Sequence, residues 1–417
     1  MTIESRSPDV VIIGAGQAGV ETAAALRMAG HDGGITVIGE EAGAPYFRPP
    51  LSKAFLAGTA EPAELTLRGT DFYERERIHL RTGVSAATVD TSKRTVVLAD
   101  GQHIPFGALV LATGSRARLL VDDSLAQASN VLYLRTMNDA AVLRNRLTPG
   151  VRIAIIGGGY IGLEIASAAK QAGAEVTVIE AADRVLARVT SEPVSEFFQR
   201  LHREEGVEVI TGARIGGYGI DVAGDVSAVM LTDGRTIEAD FLLVGIGVVP
   251  RTELAEQIGI EVDNGIVVDE YLRTSMPGIY AVGDVARYPC PQHGGLRRLE
   301  SAPNASEHAR TVAQNILGTS TPLTALPWFW SDQFGLKLQS VGMSATADTV
   351  VSRDLEDPRR LGVFYLRNGR LIAADLVGFV ADFAAAKRLI ASGIAVDPDL
   401  LVRSEVPLKS LLSPAAV

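Results

Sequence analysis

Val10-Val11-Ile12-Ile13-Gly14-Ala15-Gly16-Gln17-Ala18-Gly19 decides the fold, because it recurs as Ile153-Ala154-Ile155-Ile156-Gly157-Gly158-Gly159-Tyr160-Ile161-Gly162. Each copy is a four-residue apolar run, the length of a buried strand, entering a GxGxxG turn that opens a helix. In such a turn the first glycine allows the tight bend. The second lets backbone approach a pyrophosphate, and the third lets helix lie close on strand. Each copy then closes with an acid. Glu40 follows the run Ile35 to Ile38 and Glu180 follows Val176 to Ile179, where a carboxylate can accept hydrogen bonds from an adenosine ribose diol. Even the position two past the third glycine repeats, as Glu21 and Glu164. One GxGxxG alone marks many ordinary turns, but strand, helix and acid recurring together point to two dinucleotide sites.

Working outward, 417 residues that are 47% hydrophobic and 21% charged suit two or three globular domains. No basic leader precedes an apolar core, and no apolar run reaches the roughly 20 residues that span a bilayer. The expectation is a cytoplasmic protein with no membrane partner. A single cysteine, Cys290, rules out an internal disulfide framework and any cysteine-rich metal or iron–sulfur site within the chain, so no metal is expected and Cys290 reads as a small structural thiol. The net charge of −10 argues against nucleic acid. From 326 to 417, ten Lys/Arg balance ten Asp/Glu, so the excess negative charge belongs to the first 325 residues.

Strands alternating with helical patterns predict an α/β fold with parallel sheets. The run ALVLATGS, Ala108 to Ser115, reads as a buried strand ending in small residues. FLLVGIGVV, Phe241 to Val249, reads as another, and YAVGD, Tyr280 to Asp284, as a strand leading to a glycine and an acid at the ligand edge of a sheet. The simplest topology has the second glycine unit inserted in the first. The predicted domains are 1–117 with 250–326 for one dinucleotide, 118–249 for the other, and an α+β domain over 327–417. In that last domain, Lys337 to Val341, Arg360 to Leu366 and Leu371 to Val377 read as strands, with a turn at Asn368-Gly369 and a helix over Val380 to Ser392.

The ordered set GAGQAG, RPPLSK, LATGS, GGGYIGLE, AVGD, ESAPNA and PWFWSDQ resembles the FAD-dependent NADH:ferredoxin reductases that serve bacterial oxygenases, of the putidaredoxin, rhodocoxin and palustrisredoxin reductase type. It covers nearly the whole chain. The glycine motifs are shared with the wider glutathione-reductase-like superfamily, whereas RPPLSK and PWFWSDQ narrow the choice. The resemblance implies FAD in the first unit, held by Gly14, Gly16, Ala18, Gly19 and Glu40, with the Ala86 backbone near its adenine. It further implies FAD contacts from Arg48, Thr113, Gly114, Arg135, Gly283 and Asp284, and an Ala302 amide aimed at the pyrimidine edge of the flavin. NADH is implied in the inserted unit, at Gly157, Gly159, Tyr160, Ile161, Gly162, Glu180 and Gly247. Lys53 would stand by the flavin N5 region paired with Glu164. Glu180 precedes Ala181 and Ala182, so no adjacent arginine meets a 2′-phosphate and NADH is preferred. Arg184 and Arg188 are the reservation, with a solvated or adenine-stacking role favoured for them.

Disulfide reductases of the superfamily carry cysteines beside the flavin, and here Tyr46 to Leu56 has none. FAD takes two electrons as hydride and can release them singly, so an external carrier, a [2Fe-2S] ferredoxin, is the expected partner. Trp330 is the candidate exit, flanked by Trp328 and Phe329. Arg297, Arg298, Arg310 and Lys337 would form either a basic patch for an acidic ferredoxin or a mixed-charge surface, with His308 and Gln333 at its border. The expected terminal acceptor is a haem-thiolate monooxygenase, with a ring-hydroxylating dioxygenase as runner-up. Rubredoxin reductase, quinone reductase and an apoptosis-inducing-factor-like redox-controlled interaction protein stay open as rivals. The expected assembly is a monomer or weak homodimer.

Overall fold

The computed structural model describes residues 7–290, 292, 294–353 and 357–412. The chain divides into two compact units. The first holds Met1–Arg48, Pro62–Arg116 and Val248–Ala325; the second holds Pro49–Glu61, Ala117–Gly247 and Leu326–Val417. Among the described residues, no helix is long and apolar enough to cross a membrane.

The core of the first unit is a five-stranded parallel sheet in the order Ile279–Ala281, Ala108–Leu111, Val10–Ile13, Ile35–Ile38, Ile78–Arg81. Val10 to Ile13 are buried on both faces, which is why the run is continuously apolar rather than alternating. A three-stranded antiparallel sheet, Ala86–Asp90, Thr95–Leu98 and His103–Pro105, interrupts it in sequence.

The second unit repeats this plan. Its parallel sheet runs Glu208–Ile210, Glu175–Ile179, Arg152–Ile156, Phe241–Val244, Val131–Leu132, and its antiparallel insert is Ile215–Ile220, Val226–Leu231 and Thr236–Glu238. Only the fifth strand differs in chain order. It comes last in the first sheet and precedes the other four in the second.

Two expected strands are shorter than their apolar runs. Ala108–Leu111 and Phe241–Val244 stop before Gly114 (φ +66°) and Gly247 (φ +101°), where the left-handed backbone turns the chain.

In the same unit, the C-terminal segment forms an antiparallel sheet ordered Trp328–Gln333, Leu336–Gly342, Arg370–Val377, Leu361–Arg367, Thr349–Arg353, with the helix Val380–Ser392 against one face. The Asn368-Gly369 turn has both residues at positive φ, the geometry of a tight hairpin. Trp328–Gln333 and Thr349–Arg353 are strands that the sequence reading does not include. Trp328, Trp330 and Asp332 alternate with Phe329, Ser331 and Gln333, so neither face is uniformly apolar and the period-two signal is absent.

Candidate active site

The two glycine turns assign each glycine a separate job. A Cβ on Gly14 would stand 2.0 Å from the Ala112 carbonyl oxygen, and one on Gly157 would stand 2.5 Å from that of Gly245. The first glycine thus permits contact with the end of the neighbouring strand. A Cβ on Gly19 would meet the Gly14 carbonyl oxygen at 1.8 Å, and one on Gly162 would meet that of Gly157 at 2.1 Å. Gly16 and Gly159 differ in having open space around the Cβ position. They are also the N-caps of the helices Gln17–Met28 and Tyr160–Gln171, with no side chain capping either one. Open space facing uncapped N–H groups at the positive end of a helix dipole fits a pyrophosphate, so each unit accommodates a dinucleotide.

In the first unit Gly283 lies over the start of the first helix, and a Cβ there would be 2.7 Å from that of Ala18. Asp284 follows, accepting from Ser115 Oγ at 3.2 Å. The Gly283 amide donates to His308 Nδ1 at 3.1 Å. Glu40, at the end of its strand, pairs with Arg251 at 2.5 Å. Thr113 Oγ donates to the Arg251 carbonyl at 2.6 Å, and the Arg251 amide donates to that of Gly114 at 2.9 Å, so Arg251 ties the Thr113-Gly114 turn to Glu40. Ala86 opens the antiparallel insert, two residues after Val84 bonds to the Gly39 carbonyl. Arg48 is held by Glu41 at 2.5 Å and lies over the Tyr46 ring. Ala302 is the first residue of the helix Ala302–Ile316, capped by Ser301 through the Asn304 amide. Arg135 belongs to the second unit, where its amide donates to the Asp139 carboxylate that also forms a capping box with Thr136.

In the second unit the Glu180 carboxylate accepts from the amides of Gly158 at 2.7 Å and Ala182 at 2.8 Å, which fixes it beside the glycine turn. Ile161 is 46% exposed next to that turn. Tyr160 packs against Phe329, ring centroids 4.4 Å apart. Gly247 accepts from the Arg118 amide. Arg184 is partly buried and bound within its own loop. It donates to the carbonyls of Ala187, Thr190 and Ser191 and to Ser195 Oγ, cross-bracing its own loop. Arg188 is exposed.

Lys53 and Glu164 come together in this unit at 2.6 Å. RPPLSK contains the 3₁₀ turn Pro49–Ser52, and Lys53 Nζ also bonds the Pro49 carbonyl at 3.2 Å. Glu164 gathers two further donors absent from the sequence reading: Ser52 Oγ at 2.5 Å on Oε2 and Ser331 Oγ at 2.7 Å on Oε1. Only the adjacency of Ser52 to Lys53 was a hint.

Trp330 lies on the opposite face of its strand from Ser331, 5.6 Å from Trp328, which in turn packs on Phe383 beneath the Lys387 ammonium. In the first unit Arg298 is mostly buried and bonds the Asp284 carbonyl and Glu300, and Arg310 pairs with Glu307; in the second Lys337 pairs with Asp332. Each of these three cations thus has an acid beside it. His308 and Gln333 do not border a surface: they are 0% and 1% exposed. Cys290 is 2% exposed. Among the described residues no group of three or more His, Cys, Asp or Glu is placed to hold a metal.

Known proteins carry the same architecture. Residues 8–309 match the pyridine nucleotide-disulphide oxidoreductase family, and residues 328–412 match the reductase C-terminal family. The chain is 42% identical to putidaredoxin reductase of Pseudomonas putida, over 98% of this chain and 97% of that one. It is also 42% identical to rhodocoxin reductase of Rhodococcus erythropolis, over 96% and 93% respectively. The structure of putidaredoxin reductase in covalent complex with putidaredoxin superposes with a TM-score of 0.93 at 42% identity, covering 97% of this chain and 98% of that one. With two dinucleotide turns, the same C-terminal sheet domain and this identity across nearly its full length, the chain belongs to the FAD-dependent NADH:ferredoxin oxidoreductases of the pyridine nucleotide-disulphide oxidoreductase family.

Proposed function

We propose that this enzyme carries electrons from NADH through FAD to a [2Fe-2S] ferredoxin that serves a haem-thiolate monooxygenase, in the cytoplasm, as a monomer or weak homodimer. The observation that carries the choice of acceptor is the single buried thiol. A chain whose one cysteine is 2% exposed has no thiol relay, so electrons leave to an external carrier. The resemblance to a reductase trapped covalently with its redox protein supports a ferredoxin of the putidaredoxin kind.

The FAD-binding domain is assigned to 1–117 and 250–326, the NAD-binding domain to 118–249 and the C-terminal domain to 327–417. FAD and NADH when bound supply hydride transfer, in which NADH is oxidised to NAD+ and the flavin gains two electrons and one proton. The chain's own residues bind and orient. Gly14, Gly16, Ala18 and Gly19 take the FAD diphosphate, Glu40 its ribose, and Ala86 its adenine. Arg48, Thr113, Gly114, Arg135, Gly283 and Asp284 take the remainder, and the amide of Ala302 faces the flavin pyrimidine. Gly157, Gly159, Tyr160, Ile161, Gly162 and Gly247 shape the NADH site. Glu180, held by two backbone amides, accepts the 2′ and 3′ hydroxyls, a geometry that repels a 2′-phosphate. Lys53, oriented by Glu164, sets a positive charge where negative charge arrives with hydride, and Trp330 lies at the exit.

Anaerobic stopped-flow tests this reading. Flavin bleaching that is fast with NADH and slow with NADPH, followed by one-electron reoxidation by a [2Fe-2S] ferredoxin, supports it. Reoxidation by a quinone, oxygen or rubredoxin but by no [2Fe-2S] protein overturns the acceptor. Coupling only to a ring-hydroxylating dioxygenase overturns the monooxygenase assignment.

A further inference from the structure

Glu164 Oε1 is the head of a buried hydrogen-bond chain that runs away from Lys53. Ser331 Oγ donates to Oε1 at 2.7 Å, Gln333 Nε2 donates to Ser331 Oγ at 3.0 Å, and Gln333 Oε1 lies 2.8 Å from His202 Nε2. Glu164, Ser331, Gln333 and His202 are 2%, 0%, 1% and 0% exposed, so water cannot substitute for any link.

The direction of the chain follows from its charged end. An ionised carboxylate only accepts, so the one hydroxyl proton of Ser331 points at Glu164 and its oxygen must accept from Gln333. The amide oxygen of Gln333 is then the acceptor facing His202, which requires the proton on Nε2. His202 Nδ1 is buried with no partner, as suits a neutral ring. Burial pushes His202 down to about 4. Three successive donors therefore all point toward one negative charge, the arrangement in which buried hydrogen bonds reinforce each other.

The backbone holds these groups in register. Along the helix, Tyr160, Glu164 and Ser167 meet Phe329, Ser331 and the Phe334 amide in turn. From Tyr160 to Glu164 the helix rises about 6 Å and from Phe329 to Ser331 the strand about 6.6 Å, so these two pairs fall in step, and the Phe334 amide closes the row just past the strand end. The Phe334 ring, beyond the end of that strand, also packs edge-on against His202 at 4.9 Å.

We propose that Ser331, Gln333 and His202 are positioning residues that lock the Glu164 carboxylate, and through it the Lys53 ammonium, in the geometry that speeds hydride arrival at the flavin. This rests on the reading of Lys53 given above. The chain has no solvent outlet at His202, so it orients and does not conduct protons. Loss of one link frees the carboxylate to rotate and lets Lys53 wander.

The test combines a double-mutant cycle with a measurement that needs no turnover. In the holoenzyme, Ser331→Ala and His202→Leu are expected to slow flavin reduction by NADH about tenfold, with NADH affinity unchanged, as befits a lost hydrogen bond to a charged group. In a Lys53→Met background Ser331→Ala is expected to have no further effect. In the apoprotein, the pH profile of Lys53 labelling by an amine-reactive reagent, followed by mass spectrometry, is expected to shift in Ser331→Ala. Nitrogen NMR of His202 is expected to show the neutral Nε2-H tautomer. A Ser331→Ala defect of equal size with and without Lys53 overturns the proposal, as does an unchanged labelling profile. If Lys53→Met alone leaves flavin reduction unchanged, the earlier reading of Lys53 fails, and the labelling profile still decides whether the chain holds the pair.

Discussion

Lys53 Nζ lies 2.6 Å from Glu164 Oε2, although 111 residues of chain separate the two. The lysine follows a proline-braced turn and the glutamate is on the helix that opens at the second glycine turn, so two motifs far apart in sequence share one ion pair. Its glutamate end is almost wholly buried, and a buried carboxylate deprived of its cation is costly. Lys53→Met is expected to destabilise the protein by about 2–4 kcal/mol in urea denaturation, while Glu164→Gln, which keeps a hydrogen-bonding group in place, costs less. Both are expected to slow flavin reduction by NADH at least about tenfold. Equal stability of Lys53→Met and wild type would remove the pair from the structural argument.

The glycines of each turn separate folding from binding. Gly16→Ala and Gly159→Ala place a methyl in open space at ordinary negative φ, so thermal melting of the apoprotein is expected to stay near wild type. FAD affinity in the first variant and NADH affinity in the second are expected to fall about tenfold or more. Gly19→Ala and Gly162→Ala instead drive a methyl into a backbone carbonyl and are expected to cost stability in the overpacking range of about 1–3 kcal/mol or beyond. Melting and cofactor titration of the four variants check this, and a reversed pattern would contradict the assignment of the open positions.

Arg184 serves its loop and not the nucleotide. Its guanidinium bonds three carbonyls and the Ser195 hydroxyl. Arg184→Ala is expected to lower stability by about 1–3 kcal/mol and to weaken NADH and NADPH binding alike. A selective loss of NADPH use, read from kcat/KM for the two nucleotides, would show that the side chain reaches a 2′-phosphate after all.

Acid should unfold the protein through two histidines. Burial pushes His202 down to about 4 and His308 down to about 3 from an ordinary value of 6.5. Both are neutral in the fold, and the unfolded chain takes up their protons first as pH drops. Stability present above pH 6.5 is therefore lost on acidification between 6.5 and those lowered values, with a slope of about 1.4 kcal/mol per pH unit for each ring. Asp375 runs the other way. Burial raises its carboxyl, so it favours the fold below its ordinary value of 3.8 and opposes it as pH rises through the raised value. Asp375→Asn, which can still accept from Tyr365 at the 2.6 Å position, is expected to raise the melting temperature at pH 7 and to lose that gain near pH 3. His308→Gln is expected to flatten the acid limb by one proton.

The amino-acid sequence by itself determined the two parallel sheets, their glycine turns and the acids that end their second strands. Each rests on local chemistry: a continuous apolar run, a backbone that only glycine tolerates, and a fixed distance along the chain to the next strand. The match of RPPLSK and GGGYIGLE to a known family also pointed to Lys53 with Glu164. Tertiary structure decided what surrounds those groups. Ser331 and Gln333 sit in a strand whose two faces both mix aromatic with polar residues, so no periodicity marked it. They became partners of Glu164 and His202 only when strand and helix repeats aligned. Arg184 and Arg298 read from sequence as free cations, yet folding consumed them, because buried carbonyls need donors and a guanidinium supplies several at once. His308 and Gln333 read as surface, and packing placed them in the interior, where a polar side chain persists by finding a hydrogen-bond partner, a condition that no single stretch of chain can announce.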